Sequence, residues 1–133
     1  MPVDQSLVGR SFPPTAAFTV TEDRVRAFAE ATGSSYDGGP APATFPIVMA
    51  FEAMNAFLEA EQLDLFRIVH GEQKFAYERP IVPGDVLTAT LSVASLRQIA
   101  GNDIIGTISE ITDSSGALVC ATTATLVHRG APA

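Results

Sequence analysis

Two histidines, one cysteine and a scatter of carboxylates are what this 133-residue chain offers for proton transfer or nucleophilic attack. His70 lies in Val69-His70-Gly71-Glu72-Gln73, and His128 stands beside Arg129 at the end of an apolar run. Imidazole changes charge near neutral pH, so each histidine is a candidate general base. Strict strand alternation sets His70 with Glu72 and Lys74 on a solvated face, which favours a structural histidine. His128, at a strand end, reads as a surface residue. Alternation places Gln73 with Val69, Phe75 and Tyr77, where a buried amide must be hydrogen-bonded. Its partner is backbone at a helix, a subunit seam, or a ligand carbonyl. Glu52 and Glu59 are the acids of an otherwise apolar helix. Glu52 is a candidate for activating water, set against the plainer reading of a solvent-facing or inter-subunit salt bridge. Asp85 in Pro83-Gly84-Asp85 suits a turn carboxylate that accepts from nearby backbone N–H groups. Cys120 falls on the apolar side of its strand, as an inert small hydrophobe.

Composition narrows the field. Eight Lys+Arg against 15 Asp+Glu give a formal net charge of −7, the wrong sign for a general nucleic-acid binder or a polybasic membrane anchor. A single cysteine rules out an internal disulfide and a cysteine-based zinc site, and no cofactor or metal is expected. With 47% hydrophobic and 17% charged residues the chain reads as folded, and its length fits one domain over 1–133 with a loose tail at Gly130–Ala133. Met1-Pro2-Val3-Asp4-Gln5-Ser6 lacks the pattern of a signal peptide. The longest nearly unbroken apolar stretch, Phe45–Phe51, is far short of the roughly 20 residues a spanning helix needs. The expectation is a cytoplasmic protein that binds neither membrane nor nucleic acid.

The elements that must position these groups follow from periodicity. Ala17–Val20 reads as a short strand, and Thr21 as the N-cap of a short amphipathic helix carrying Val25, Phe28 and Ala29, stopped at Gly33. Ser34–Pro42 is loop chemistry. A second helix opens near Thr44 as candidate cap, with Pro46 in its first turn. Ile47, Ala50, Phe51, Met54, Phe57 and Leu58 make its main apolar face, and further apolar residues extend that face around most of the cylinder. Such a helix is buried. The second half then alternates as strands Phe66–Arg79, Val86–Leu96, Ile104–Thr112 and Leu118–Val127, separated by tight Gly/Asn/Asp turns. The sum is an α+β domain: about five antiparallel strands curved around one central buried helix, plus a short N-terminal helix.

Pro42-Ala43-Thr44-Phe45-Pro46 opening the buried helix, Val69-His70-Gly71-Glu72-Gln73 in a strand, and Arg79-Pro80 followed by Pro83-Gly84-Asp85 together resemble the MaoC-like hot-dog dehydratases. The resemblance is to their N-terminal-type dehydratase domain and runs from Leu7-Val8-Gly9-Arg10 to Val127. It implies side-by-side pairing and chemistry on (3R)-hydroxyacyl thioesters of coenzyme A or acyl carrier protein, in fatty-acid or polyketide-type metabolism. The family's enzymes carry Asp-x-Asn-Pro-x-His in the loop before the buried helix. Here that loop has Asp37 as its only acid and Pro42 five residues on; aligning Ser34 instead puts Gly39 at the histidine position. The dyad is absent.

That pattern resembles the non-catalytic half of two-part hydratases, including the acyl-binding subunit of actinobacterial heterodimeric dehydratases. The resemblance implies no catalytic residue in this chain and an acyl chain held by Phe45, Met49, Met54 and Gln73. Its partners are then an acyl-CoA or acyl-carrier-protein substrate and a second hot-dog chain, as homodimer or as heterodimer with a catalytic MaoC-like chain. Two rival expectations stand beside it: an autonomous hot-dog thioesterase using Glu52, and a non-enzymatic acyl-thioester binding homodimer.

Overall fold

The computed structural model describes residues 5–130, so Ala131–Ala133 of the expected tail, together with Met1–Asp4, lie outside the described residues. Gly130 itself is tied down, its backbone N–H donating to Asn102 Oδ1 at 3.0 Å. The chain forms β1 (Phe18–Thr19), α1 (Glu22–Ala31), α2 (Ile47–Ala60), β2 (Ile68–Tyr77), β3 (Val86–Ile99), β4 (Asn102–Thr112) and β5 (Leu118–His128), with single 3-10 turns at Gln5–Leu7 and Leu65–Arg67. All pairings are antiparallel, in the order β1-β3-β4-β5-β2.

Local chemistry explains the boundaries. Thr21 caps α1, accepting from Arg24 N at 3.2 Å, and Gly33 just beyond its end has φ +82°. Thr44 does not cap α2: residues 43–46 form a turn, and Pro46 occupies the cap position without a side-chain hydrogen bond. Proline has no N–H to satisfy, so the helix can start directly after it. Ala100 and Gly101 both have positive φ (54° and 81°), as the two-residue turn joining β3 to β4 requires.

α2 lies against the concave face of the sheet and buries Met49, Ala53, Met54, Phe57 and Leu58 against Leu87, Leu91 and Ile111, among others. Its apolar surface is wider than its buried one: Phe51 is 44% exposed, and Ala56 and Ala60 are exposed as well. Phe45, at the entrance to α2, is the hub between helices and sheet. Its ring meets Phe18 of β1 (6.1 Å) and Phe28 of α1 (5.4 Å) edge to face. Residues 9–15 run along the outer side of β3, with Gly9, Phe12 and Thr15 donating to Val93, Leu91 and Ala89.

One polar network pins the end of the sheet. Arg79 donates to both oxygens of Asp85 (2.9 and 3.3 Å) and to Asp113 Oδ2 (3.3 Å), so the turns after β2 and β4 share one guanidinium. Asp85 also accepts from Val82 N at 2.9 Å, the turn role expected of it. Asp113 accepts from the Ser115 hydroxyl (2.6 Å) and from the backbone N–H groups of Ser115 and Ala117 (2.9 and 3.1 Å). These bonds, the Ser115 hydroxyl foremost, hold its carboxyl at about 2 rather than 3.8. A carboxylate with a depressed pKa stabilises the fold above its ordinary value, and that contribution is lost as pH falls toward 2. Melting temperatures of wild type and Asp113→Asn are therefore expected to differ above pH 4 and to converge as pH falls to 2.

Candidate functional site

The concave face of β2 is not the one that simple alternation predicts. His70 pairs with Leu126 and Glu72 with Thr125, so Gly71 is an extra residue in the strand. One extra residue exchanges the faces beyond it. His70 and Gln73 therefore share the concave face, while Val69 is 46% exposed on the other. The two side chains bond directly, His70 Nε2 to Gln73 Oε1 at 2.9 Å. The amide oxygen only accepts, so the imidazole Nε2 donates. The Phe51 ring of α2 lies nearly parallel to the His70 ring (7°, centroids 6.5 Å apart).

Beneath this pair is a cavity of about 10 Å³, floored by β4, β5 and β2 and roofed by Ile47, Ala50, Phe51 and Met54 of α2. Ala124 sits at its centre, paired with Thr107 on one side and Gln73 on the other. Ser109 and Thr122, paired with each other, complete the polar rim.

Among the sequence-predicted acyl-binding residues, the structure brings Met54 and Gln73 to this cavity. Phe45 and Met49 are fully buried in the core and do not line it. Gln73 meets a neighbouring side chain, and its Nε2 makes a long contact (3.4 Å) to Lys74 O. Glu52 is exposed on the opposite flank of α2, in a groove of about 380 Å³ between the helix and Phe12–Ala16, with no ion pair among the described residues. A third hollow, of about 390 Å³, lies where Ala41 and Ala43 face Tyr77–Ile81. Tyr77 ties the two walls together there, its hydroxyl donating to Ala43 O at 2.6 Å. Burial, reinforced by the Cys120 thiol, pushes that phenol up to about 12. Cys120 is itself fully buried, and burial raises its thiol, which makes it a poor nucleophile.

His128 is not a surface residue. It is 5% exposed and faces Asp103 (5% exposed), its Nδ1 3.6 Å from Asp103 Oδ2. The two are register partners across β4 and β5, so both side chains project to one face of the ladder. The apolar run before His128 concealed this, because the acid that accompanies it is 25 residues away in sequence.

The loop before α2 brings no acid–base pair together. Asp37 is exposed, between Tyr36, whose hydroxyl donates to Gly39 O (2.7 Å), and two positive-φ glycines. No group of three or more histidine, cysteine or acidic side chains that could hold a metal ion occurs among the described residues. No helix among them is long and apolar enough to cross a membrane.

A family model described as the FAS1-like dehydratase domain region matches residues 34–122. The chain belongs to this FAS1-like dehydratase family. Across its whole length it is similar to the UPF0336 protein SCO4636 of Streptomyces coelicolor, at 41% identity over 98% of both chains. A UPF0336 protein of Clavibacter michiganensis is 38% identical, again over 98% of each. The alignment with the Streptomyces protein runs to 147 residues against 133 here, so that relative carries insertions this chain lacks. Among solved structures, this FAS1-like dehydratase chain superposes with a TM-score of 0.81 on a chain of the HadBC (3R-hydroxyacyl-ACP dehydratase) complex of Mycobacterium tuberculosis. The identity is 26%, over 96% of this chain and 99% of that one. A MaoC-like dehydratase matches with a TM-score of 0.80 and 26% identity, this chain spanning 43% of it. The expected hot-dog architecture, a curled antiparallel sheet around a helix, is thus the observed one, and the MaoC-like kinship is shown.

Proposed function

We propose that the chain is the non-catalytic, acyl-accommodating subunit of a (3R)-hydroxyacyl-thioester dehydratase, working beside a hot-dog chain that supplies the catalytic pair. The observation that carries this reading is the loop entering α2, which holds Asp37 and no histidine. Dehydration removes a proton from Cα and delivers one to the departing hydroxyl, so it needs a base and an acid at one carbon–carbon bond. The two imidazoles are engaged elsewhere, His70 with Gln73 and His128 with Asp103. The likeness to a chain of a dehydratase complex supports the shared-site reading. So does the surface around the free edge of β2, where Phe66 (88%), Val69 (46%) and Phe51 (44%) are exposed. An apolar patch beside an open strand edge suits a second hot-dog chain.

The test is an enoyl-thioester hydration assay on the purified chain and on its co-expressed complex with a chain bearing Asp-x-Asn-Pro-x-His. The lone chain is expected at buffer background and the complex at least about 10²-fold above it, since one positioned acid–base group contributes about 10²–10⁴. Hydration by the lone chain would sink the reading. Release of free thiol from acyl-CoA by the lone chain, abolished by Glu52→Gln, would replace it with the thioesterase reading.

A further inference from the structure

The convex face of the sheet, turned away from α2, carries a cationic corner on an acidic molecule. Leu96, Asp103 and His128 are buried on the concave side, so alternation turns Arg97, Ile104 and Val127 outward. These three stand in one row across β3, β4 and β5, Arg97 paired with Ile104 and Ile104 with Val127. Two residues further along the same face come Ile99, 50% exposed, and Arg129. Arg67 is laced to Arg129: the Arg129 N–H donates to Arg67 O at 2.8 Å, and Arg67 Nε donates to Arg129 O at 2.9 Å. The other cations of the chain are engaged. Arg10, Arg26, Lys74 and Arg79 face carboxylates, and Arg24 lies over the Phe18 ring. Arg67, Arg97 and Arg129 pair with no carboxylate among the described residues, although the chain's formal net charge is −7. Asp64 and Asp103, at the same end of the sheet, have other tasks: Asp64 accepts from Phe66 N at 2.9 Å, and Asp103 meets His128 on the concave side.

We propose that this corner docks an acidic amphipathic helix of a protein partner, its apolar stripe on Ile99, Ile104 and Val127 and its carboxylates on the three guanidiniums. The backbone of β4 and β5 is fully paired within the sheet, so the face offers side chains and no free N–H or C=O. An extended segment laid there would leave its own backbone unsatisfied, whereas a helix brings its backbone already bonded. The four strands span about 14 Å, the length of roughly three helical turns. A bilayer is a poorer fit, because a plane of anionic lipid also meets the acidic remainder of the molecule, and a helix meets the corner alone. Joining a second sheet through the β2 edge uses in-plane backbone groups and leaves this face open, so the inference stands independently of the dehydratase reading.

The test is fluorescence anisotropy on the full chain with a labelled peptide of about 20 residues, long enough to hold a helix, carrying leucines at helical spacing among glutamates. A scrambled peptide of the same composition keeps the charge and loses the stripe. The amphipathic peptide is expected to bind at least about ten-fold tighter than the scrambled one, the worth of covering one aliphatic side chain. Arg97→Glu is expected to weaken it about five- to ten-fold, since reversal removes one exposed attraction and adds a repulsion of like size. Arg26→Glu, on α1, changes the net charge equally and is expected to leave Kd within about two-fold, charges more than a Debye length apart being screened. Equal binding of both peptides, or equal weakening by Arg97→Glu and Arg26→Glu, overturns the proposal. Binding to phosphatidylglycerol–phosphatidylcholine vesicles that Arg97→Glu abolishes, with no preference between the peptides, replaces the helix with an anionic lipid surface.

Discussion

Phe57→Ala is expected to lower the stability of the chain by about 3–5 kcal/mol, the range for emptying a buried aromatic site. Phe57 has no exposed surface, and its ring meets Phe12 edge to face at 5.0 Å. It therefore joins α2 not only to the sheet but to the N-terminal segment running outside β3. Removing it leaves a hole between three elements, and the sheet, held by continuous ladders, cannot collapse to fill it. Domains of this size have about 5–15 kcal/mol in all, so about a fifth or more of the total would go. The measurement is the urea midpoint at unchanged m-value. Phe51→Ala, on the same helix but 44% exposed, is the contrast: below about 1 kcal/mol in the lone chain. A midpoint for Phe57→Ala no lower than that for Phe51→Ala would contradict the assignment of the core.

Asp103→Ala is expected to cost about 3 kcal/mol, the second-largest effect. Asp103 and His128 are each 5% exposed and face one another at 3.6 Å across paired strands. Deleting one member of a buried pair strands the other without its counterpart, the expensive half of the comparison. Replacing both together is a different matter, because a well-packed apolar pair incurs no desolvation penalty. The double change Asp103→Leu with His128→Leu should thus be more stable than Asp103→Ala alone, a non-additivity that denaturation of the three proteins reads directly. If Asp103→Ala melts like wild type, the pair carries no structural weight.

What could be read from the residues divides along the range of the interactions. Elements specified by neighbours in sequence were legible: the Thr21 cap, the stop at Gly33 and the four long strands all lie where local chemistry puts them. The Asp85 turn was legible for the same reason, although its bonds to Arg79 needed the structure. The concave face of β2 was not legible. Gly71 fits a regular strand as well as a bulge, and only the pairing with Leu126 and Thr125 shows which it is. That one residue decided whether His70 stood with Glu72 or with Gln73. The Asp103–His128 pair escaped because it depends on register between two strands, which no single strand encodes. The burial of Thr107 and Ser109 under α2 was not legible either, because they alternate like the residues of any half-buried strand.

The N-terminal segment along β3 carries Pro13-Pro14, which have no N–H to offer a further strand. The sheet therefore has one terminated side and one reactive side, β2. Its valence for strand addition is one: joining a second such sheet consumes the reactive side of both. Strand addition across β2 would therefore close a pair and leave no further edge from which a filament could grow.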